Sequence, residues 1–239
     1  MLAQTQRFRG RVYLEDGAIK PWQLSEGRHR LEADQTSWHL LVLDLAGRVC
    51  GCARFRQYQP GAGYGDLSVS RSALALSNNW GDLLKGAVQA EMALARRRDC
   101  RPSEWGGWAL DEDVRGTAEA LRMTLAAYAL TCELGGGIAL SCVTRRHGSA
   151  SILRRMGGRS LECRGVEMPA YYDPQYECDM EILSFRSWAP NPRYSVWIDE
   201  IRSTLCHTPV LAVGAEDAAW RPEHGSRRAS AAASAAAAS

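Results

Sequence analysis

Across 239 residues the chain sets 29 Lys plus Arg against 27 Asp plus Glu, a net charge of +2, too even a balance to argue for nucleic acid while leaving an anionic carrier tolerable. That length supports one domain whose core needs no disulfides, and eight cysteines without paired spacing read as reduced thiols of a cytoplasmic protein. Residues 1–9 lack the apolar run of a signal peptide, and no later stretch reaches the ~20 apolar residues of a membrane span.

Residues 11–24 read as a short strand, an Asp16-Gly17 turn and a second strand, followed by a polar connection through Arg30. Residues 38–45 and 49–58, β-branched and aromatic around Ala46-Gly47, predict a hairpin. Cys50 and Cys52 share a face of its second strand and, with no histidine close by, read as small buried apolar groups in preference to a metal site. The glycine-rich run 60–65 is a connection, since no helix start follows it at once. Asn78 or Asn79 is placed to cap a helix over 80–98, with Leu83, Leu84, Val88 and Met92 or Leu94 on its apolar side. Its Arg96-Arg97-Arg98 end suits the helix dipole, in preference to contact with the acidic face of an acyl carrier.

Residues 104–158 organise the chain, because strand, loop, helix, strand and helix succeed one another there. An apolar strand over 105–110 enters the polar turn Asp111-Glu112-Asp113-Val114. A helix beginning Arg115-Gly116-Thr117-Ala118-Glu119-Ala120 follows, with Leu121, Leu125, Tyr128 and Cys132 on one face and Gly135 to Gly137 as its stop. Residues 138–143 are apolar on both faces, the pattern of a buried strand with a parallel or mixed neighbour. A second helix over 148–156 closes at Gly157-Gly158. The first helix therefore presents unpaired amides at the end of a strand, and such amides attract phosphate.

Residues 159–166 and 177–186 read as closing strands, and the loop 169–176 between them holds three tyrosines. These tyrosines fit packing, or the lip of an acceptor site with a phenol able to donate a proton. A final helix over 195–206 is expected to dock on the sheet through Val196, Trp197, Ile198, Ile201 and Leu205. Residues 1–214 form the expected domain, and the Ala/Ser-rich run 215–239 is expected to be a disordered tail.

Residues 110–121, LDEDVRGTAEAL, resemble the acyl-CoA pyrophosphate loop of the GNAT acyltransferase superfamily, R/Q-x-x-G-x-G/A. Arg115 and Ala120 match, Gly116 matches the common second-position glycine, and Ala118 replaces the middle one. Residues 146–158 are similar to the family's N-x-x-A-x-x-L-Y-x-x-x-G-F helix, with Arg146 for Asn, Ser149 for Ala, Leu153 for Tyr and Gly158 for Phe. Glu104 followed by Trp108-Ala109-Leu110-Asp111 resembles the E-x-S-R-F-x-V-D strand of the long-chain branch, the acyl-homoserine-lactone and N-acyl amino acid synthases, with Gly106-Gly107 in place of Ser-Arg. The segments Arg146-His147-Gly148-Ser149-Ala150 and Tyr171-Tyr172-Asp173-Pro174 look like the amino acid synthases.

The resemblance implies an α/β, GNAT-like three-layer sandwich with a central mixed, V-splayed sheet. It implies an N-acyltransferase with no tightly bound cofactor, moving an acyl group, long-chain in this branch, from acyl-CoA or acyl carrier protein to the amine of an amino acid or similar small molecule. Glu104 is the candidate base and fits equally a surface Glu beside Pro102 and Ser103; Tyr172 is the candidate phenol. Amides near Leu110 would hold the oxyanion, and those of Arg115, Gly116, Thr117, Ala118, Glu119 and Ala120 the carrier's phosphates, with Arg146 beside them. With no G-x-S-x-G turn, direct transfer is preferred to a covalent intermediate. A lactone-closing signal synthase and a catalytically silent carrier-binding module are the alternatives; Leu153 in the usual Tyr position permits the second.

Overall fold

The computed structural model describes residues 1–212, apart from the side chain of His147. The tail expected over 215–239 lies outside the described residues.

In chain order the elements are α1 (Leu2–Glu15), β1 (Trp38–Leu43), β2 (Val49–Gln57), α2 (Gly81–Arg97), β3 (Arg101–Leu110), α3 (Ala118–Glu133), β4 (Gly137–Thr144) and α4 (Ser149–Arg155). They continue with β5 (Arg159–Ser160), β6 (Glu162–Cys163), β7 (Val166–Glu167), β8 (Tyr171–Asp173), β9 (Cys178–Arg186) and α5 (Ser195–Leu205). Seven strands form one mixed sheet in the order β1-β2-β3-β4-β9-β5, with β8 also on β9, and only β3 and β4 run parallel. The expected α/β three-layer arrangement is present. On one face α3, α4 and α5 bury Leu125, Tyr128, Leu153 and Ile198 against Phe55, Trp105 and Phe185; on the other, α2 buries Leu84, Val88 and Met92, and α1 buries Phe8 and Val12.

The hairpin β1–β2, the helix α2 and the strands β4 and β9 stand where their patterns put them. The strand pair expected over 11–24 is instead the helix α1. Straight-chain Leu, Gln and Arg favour it, and its buried face, Thr5, Phe8, Arg9 and Val12, keeps helical spacing with two polar members that disguise the period. β3 starts at Arg101, four residues before the expected start; Pro102, without a ladder donor, disguises that extension. Neither Asn78 nor Asn79 caps α2: the N-cap is Trp80, without a side-chain cap bond. α3 begins at Ala118 rather than Arg115. Residues 159–167 are broken: β5 joins the sheet, while β6 and β7 form a separate hairpin around Arg164 and Gly165, both at positive φ. The tyrosine loop contains β8. α5 rests on α3, so α3 lies where the sheet was expected, and Arg202 Nε ties the two helices to Glu133 Oε1 at 3.0 Å.

Candidate functional site: a fork in the sheet

β3 and β4 pair from Arg101↔Gly137 to Glu104↔Leu140 and no further, although β3 continues to Leu110 and β4 to Thr144. The sheet therefore splays open beyond Glu104. The cause is local. Between Cys52↔Ala109 and Arg54↔Gly106, two residues of β3, Gly107 and Trp108, oppose one of β2, a bulge that bends its strand. Gly107 has φ +63, and an added Cβ would stand 3.2 Å from Arg54 Cβ and 3.4 Å from Arg9 Nη1, so glycine is required there on both counts.

Glu104 occupies the apex. It is buried, its Oε2 accepting from the Tyr58 hydroxyl and the Ser68 amide (2.9 Å) and its Oε1 from the Val69 amide (2.9 Å). The carboxyl thus anchors the loop 67–71 over the fork. A carboxylate has about four acceptor sites, which leaves one for a further donor. Burial, then the charge and hydrogen bond of Glu104, push the Tyr58 phenol well above its ordinary range.

At the far end of β3 the Asp111 amide donates to the Cys50 carbonyl of β2 at 2.9 Å. Strand alternation turns the Leu110 amide the other way, toward the open side. The turn then tightens through the Val114 and Arg115 amides onto the Asp111 carbonyl, and Gly116, at φ +76, redirects the chain. Thr117 caps α3 by accepting from the Glu119 amide at 3.2 Å. The amides of Ala118 and Ala120, in the first turn, have no acceptor within the helix. Ala118 is exposed, so this end is accessible.

Arg115 itself is committed to the protein: Nη1 and Nη2 grip the Asp16 carboxylate at 2.6 and 2.8 Å, and Nε reaches the Leu110 carbonyl at 3.0 Å. Arg146 spans the same junction, Nη1 to the Asp16 carbonyl and Nη2 to the Glu177 carbonyl. Arg115 fastens the turn to the end of α1, and Arg146 fastens that end to the segment before β9, so both guanidinium groups are engaged by the protein itself. Tyr172 is exposed on β8, opposite Asp179, while its neighbour Tyr171 is buried with an unpartnered hydroxyl. The predicted residues thus fall into an apex (Glu104), a strand end with its helix start (Leu110 and 115–120), a brace (Arg146) and, beyond β4 and β9 from the gap, the exposed Tyr172 on β8. A groove of about 1300 Å³ between β1, α1 and α3 lies apart from them, touching only Glu119.

Sequence reasoning missed the support beneath the bulge. Arg9, wholly buried on α1, meets Asp34 through Nη1 (3.2 Å) and Nη2 (2.7 Å), donates to the His29 carbonyl and, through Nε, to His29 Nδ1 at 3.3 Å. Gln6 Nε2 and the Leu31 amide complete the shell of Asp34. Burial alone would raise the Asp34 carboxyl, but the Arg9 bonds and charge outweigh it and hold it below its ordinary range. Burial, then Arg9, pushes His29 down to about 4. An arginine beside Phe8 on a helical face was the available signal, since a buried guanidinium needs an acid.

No protein-family model and no curated protein matches the chain. Among solved structures it is similar to a CoA-dependent acyl-homoserine lactone synthase, BjaI, determined with SAM and isopentyl-CoA (16% identity, 85% of this chain and 81% of that one, TM-score 0.50). It is also similar to FeeM, an N-acyl amino acid synthase from uncultured soil microbes (14% identity, 84% and 92%, TM-score 0.46). At such identity the likeness to the lactone synthase establishes architecture: the chain has the mixed, splayed-sheet fold of the GNAT-like acyltransferases.

Proposed function

We propose that the protein is an N-acyltransferase that moves an acyl group, long-chain by its branch resemblance, from acyl-CoA or acyl carrier protein to the amine of an amino acid or similar small molecule. The observation that carries this reading is the fork, where two parallel strands part just past Glu104 and leave backbone groups facing a gap that ends at the α3 N-terminus. An extended thioester arm fits such a gap, and its phosphates suit the amides of Gly116, Ala118 and Ala120, while those of Thr117 and Glu119 hold the turn and the cap. The solved relative bound to isopentyl-CoA shows that a chain of this fold accepts a CoA thioester.

In this reading the amine attacks the thioester carbonyl, the C–N bond forms, and the amine's proton passes by way of water along the open edge of β3 to the vacant acceptor site of Glu104. The Leu110 amide holds the oxyanion. The C–S bond then breaks, and the thiolate takes its proton from solvent or from the exposed phenol of Tyr172 on β8. No step leaves the acyl group on the protein.

The test is thiol release from a panel of acyl-CoA and acyl carrier protein thioesters, with and without pooled amino acids, followed by mass spectrometry of the products. N-acyl products requiring the protein and an amine are expected. Carrier binding without thiol release from any donor would leave a carrier-binding module and overturn the reading.

A further inference from the structure

One strand over from the gap, among the described residues, a buried guanidinium nitrogen has no partner. Arg54, half-buried on β2, stands across from Gly106, the second residue of β3 past the apex. Its Nε is buried without a hydrogen-bond partner, and among the described residues no carboxylate pairs with it. The two buried acids of the region are spoken for, Glu104 by Tyr58 and two amides, Asp34 by Arg9, Gln6 and Leu31. The glycines opposite leave room: a Cβ on Gly106 would stand 3.8 Å from Arg54 Nη2.

The surroundings are aromatic. Tyr13 of α1 and Tyr176 beside β9 meet edge to face at 6.4 Å, and Tyr13 lies 5.3 Å from His29. Gly107 packs against both Arg54 and Arg9, and Arg9 donates to His29, so Arg54 borders this cluster; its charge is felt by Tyr13, Tyr176, His29 and His39, whose titration burial dominates. Leaving a buried guanidinium donor unpaired costs free energy. A fold tolerates this where the missing acceptor arrives with a ligand.

We infer that Arg54 receives the carboxylate of the acceptor, so that the substrate is an amino acid rather than a simple amine. A guanidinium fork matches a carboxylate in two parallel hydrogen bonds. Neighbouring strands lie ~4.8 Å apart, so an amino acid held at Arg54 carries its α-amine toward the edge of β3 that lines the gap. This inference rests on the acyltransferase reading, and its experiment separates the two.

Each common amino acid and its carboxamide is titrated calorimetrically against the full chain, and the same compounds serve as acceptors in the thiol-release assay. At least one amino acid should bind, with its carboxamide weaker on the order of 10- to 100-fold. Arg54→Gln should abolish that preference and raise the acceptor KM with little change in donor KM, and Arg54→Lys should recover part of it. Carboxamides that bind and are acylated as well as the acids would overturn the assignment of Arg54 while leaving the acyltransferase intact. The wild-type comparison decides this alone if Arg54→Gln fails to fold. A carboxylate preference that survives in folded Arg54→Gln would also overturn it, and calorimetry reads that result even where no acyl transfer occurs.

Discussion

His29 accepts a hydrogen bond from Arg9 through Nδ1, so that nitrogen must be unprotonated, in keeping with the pKa of about 4. The unfolded chain binds this proton near pH 6.5, so between these values it holds more protons than the folded one. Stability from this group is complete above pH 6.5 and is lost as pH falls toward 4. Chemical denaturation should show a decline of up to about 3 kcal/mol over that window, flattened in His29→Gln; equal slopes would show that His29 is not the titrating group. Arg9→Met leaves Asp34 buried without its cation and should cost about 3–5 kcal/mol in the same measurement. For Glu104→Gln the proposed base role predicts turnover falling roughly 10²-fold or more with carrier affinity retained, and an unchanged rate would remove Glu104 as the base. Glu104 was visible from the sequence because it precedes a strand with motif character. Arg9, Asp34 and Tyr58 were not, because their roles come from chain segments far apart in the sequence.

At the scale of the element, legibility followed periodicity. β1, β2, α2, β4 and β9 carry unmixed apolar patterns, whereas α1 hides a polar network in its buried face, and the short strands β5 to β8 are too brief for any period to accumulate. The bulge was legible only as an unexplained Gly106-Gly107. Gly107→Ala forces a side chain into φ +63 against Arg54; a loss of about 1–3 kcal/mol is expected from denaturant midpoints, with acyl transfer falling more than stability alone accounts for. Ala118→Trp tests the helix start, because Ala118 is exposed and its side chain bears on no core residue. The variant should fold with an unchanged melting temperature and bind acyl-CoA at least tenfold more weakly, and unaltered binding would remove this terminus from the donor site.

Taken as a whole, the molecule is two half-sheets. β1, β2 and the outer part of β3 form one, and β4, β9, β8 and β5 the other. Four residue pairs, Arg101↔Gly137 to Glu104↔Leu140, join them in the ladder. Side chains add a bridge: Trp105 of β3 stacks on Phe185 of β9 at 4.6 Å, with Tyr128 of α3 edge-on to both. A seam so short makes the sheet a hinge in the mechanical sense, with stiff leaves and a narrow line of bending. Amide exchange with deuterated water should register it. The amides of residues 101–104 and 137–140 that face across the seam, Pro102 having none, should exchange together, in one cooperative opening that frees the leaves at lower cost than global unfolding. Whatever occupies the gap between the leaves would slow that opening.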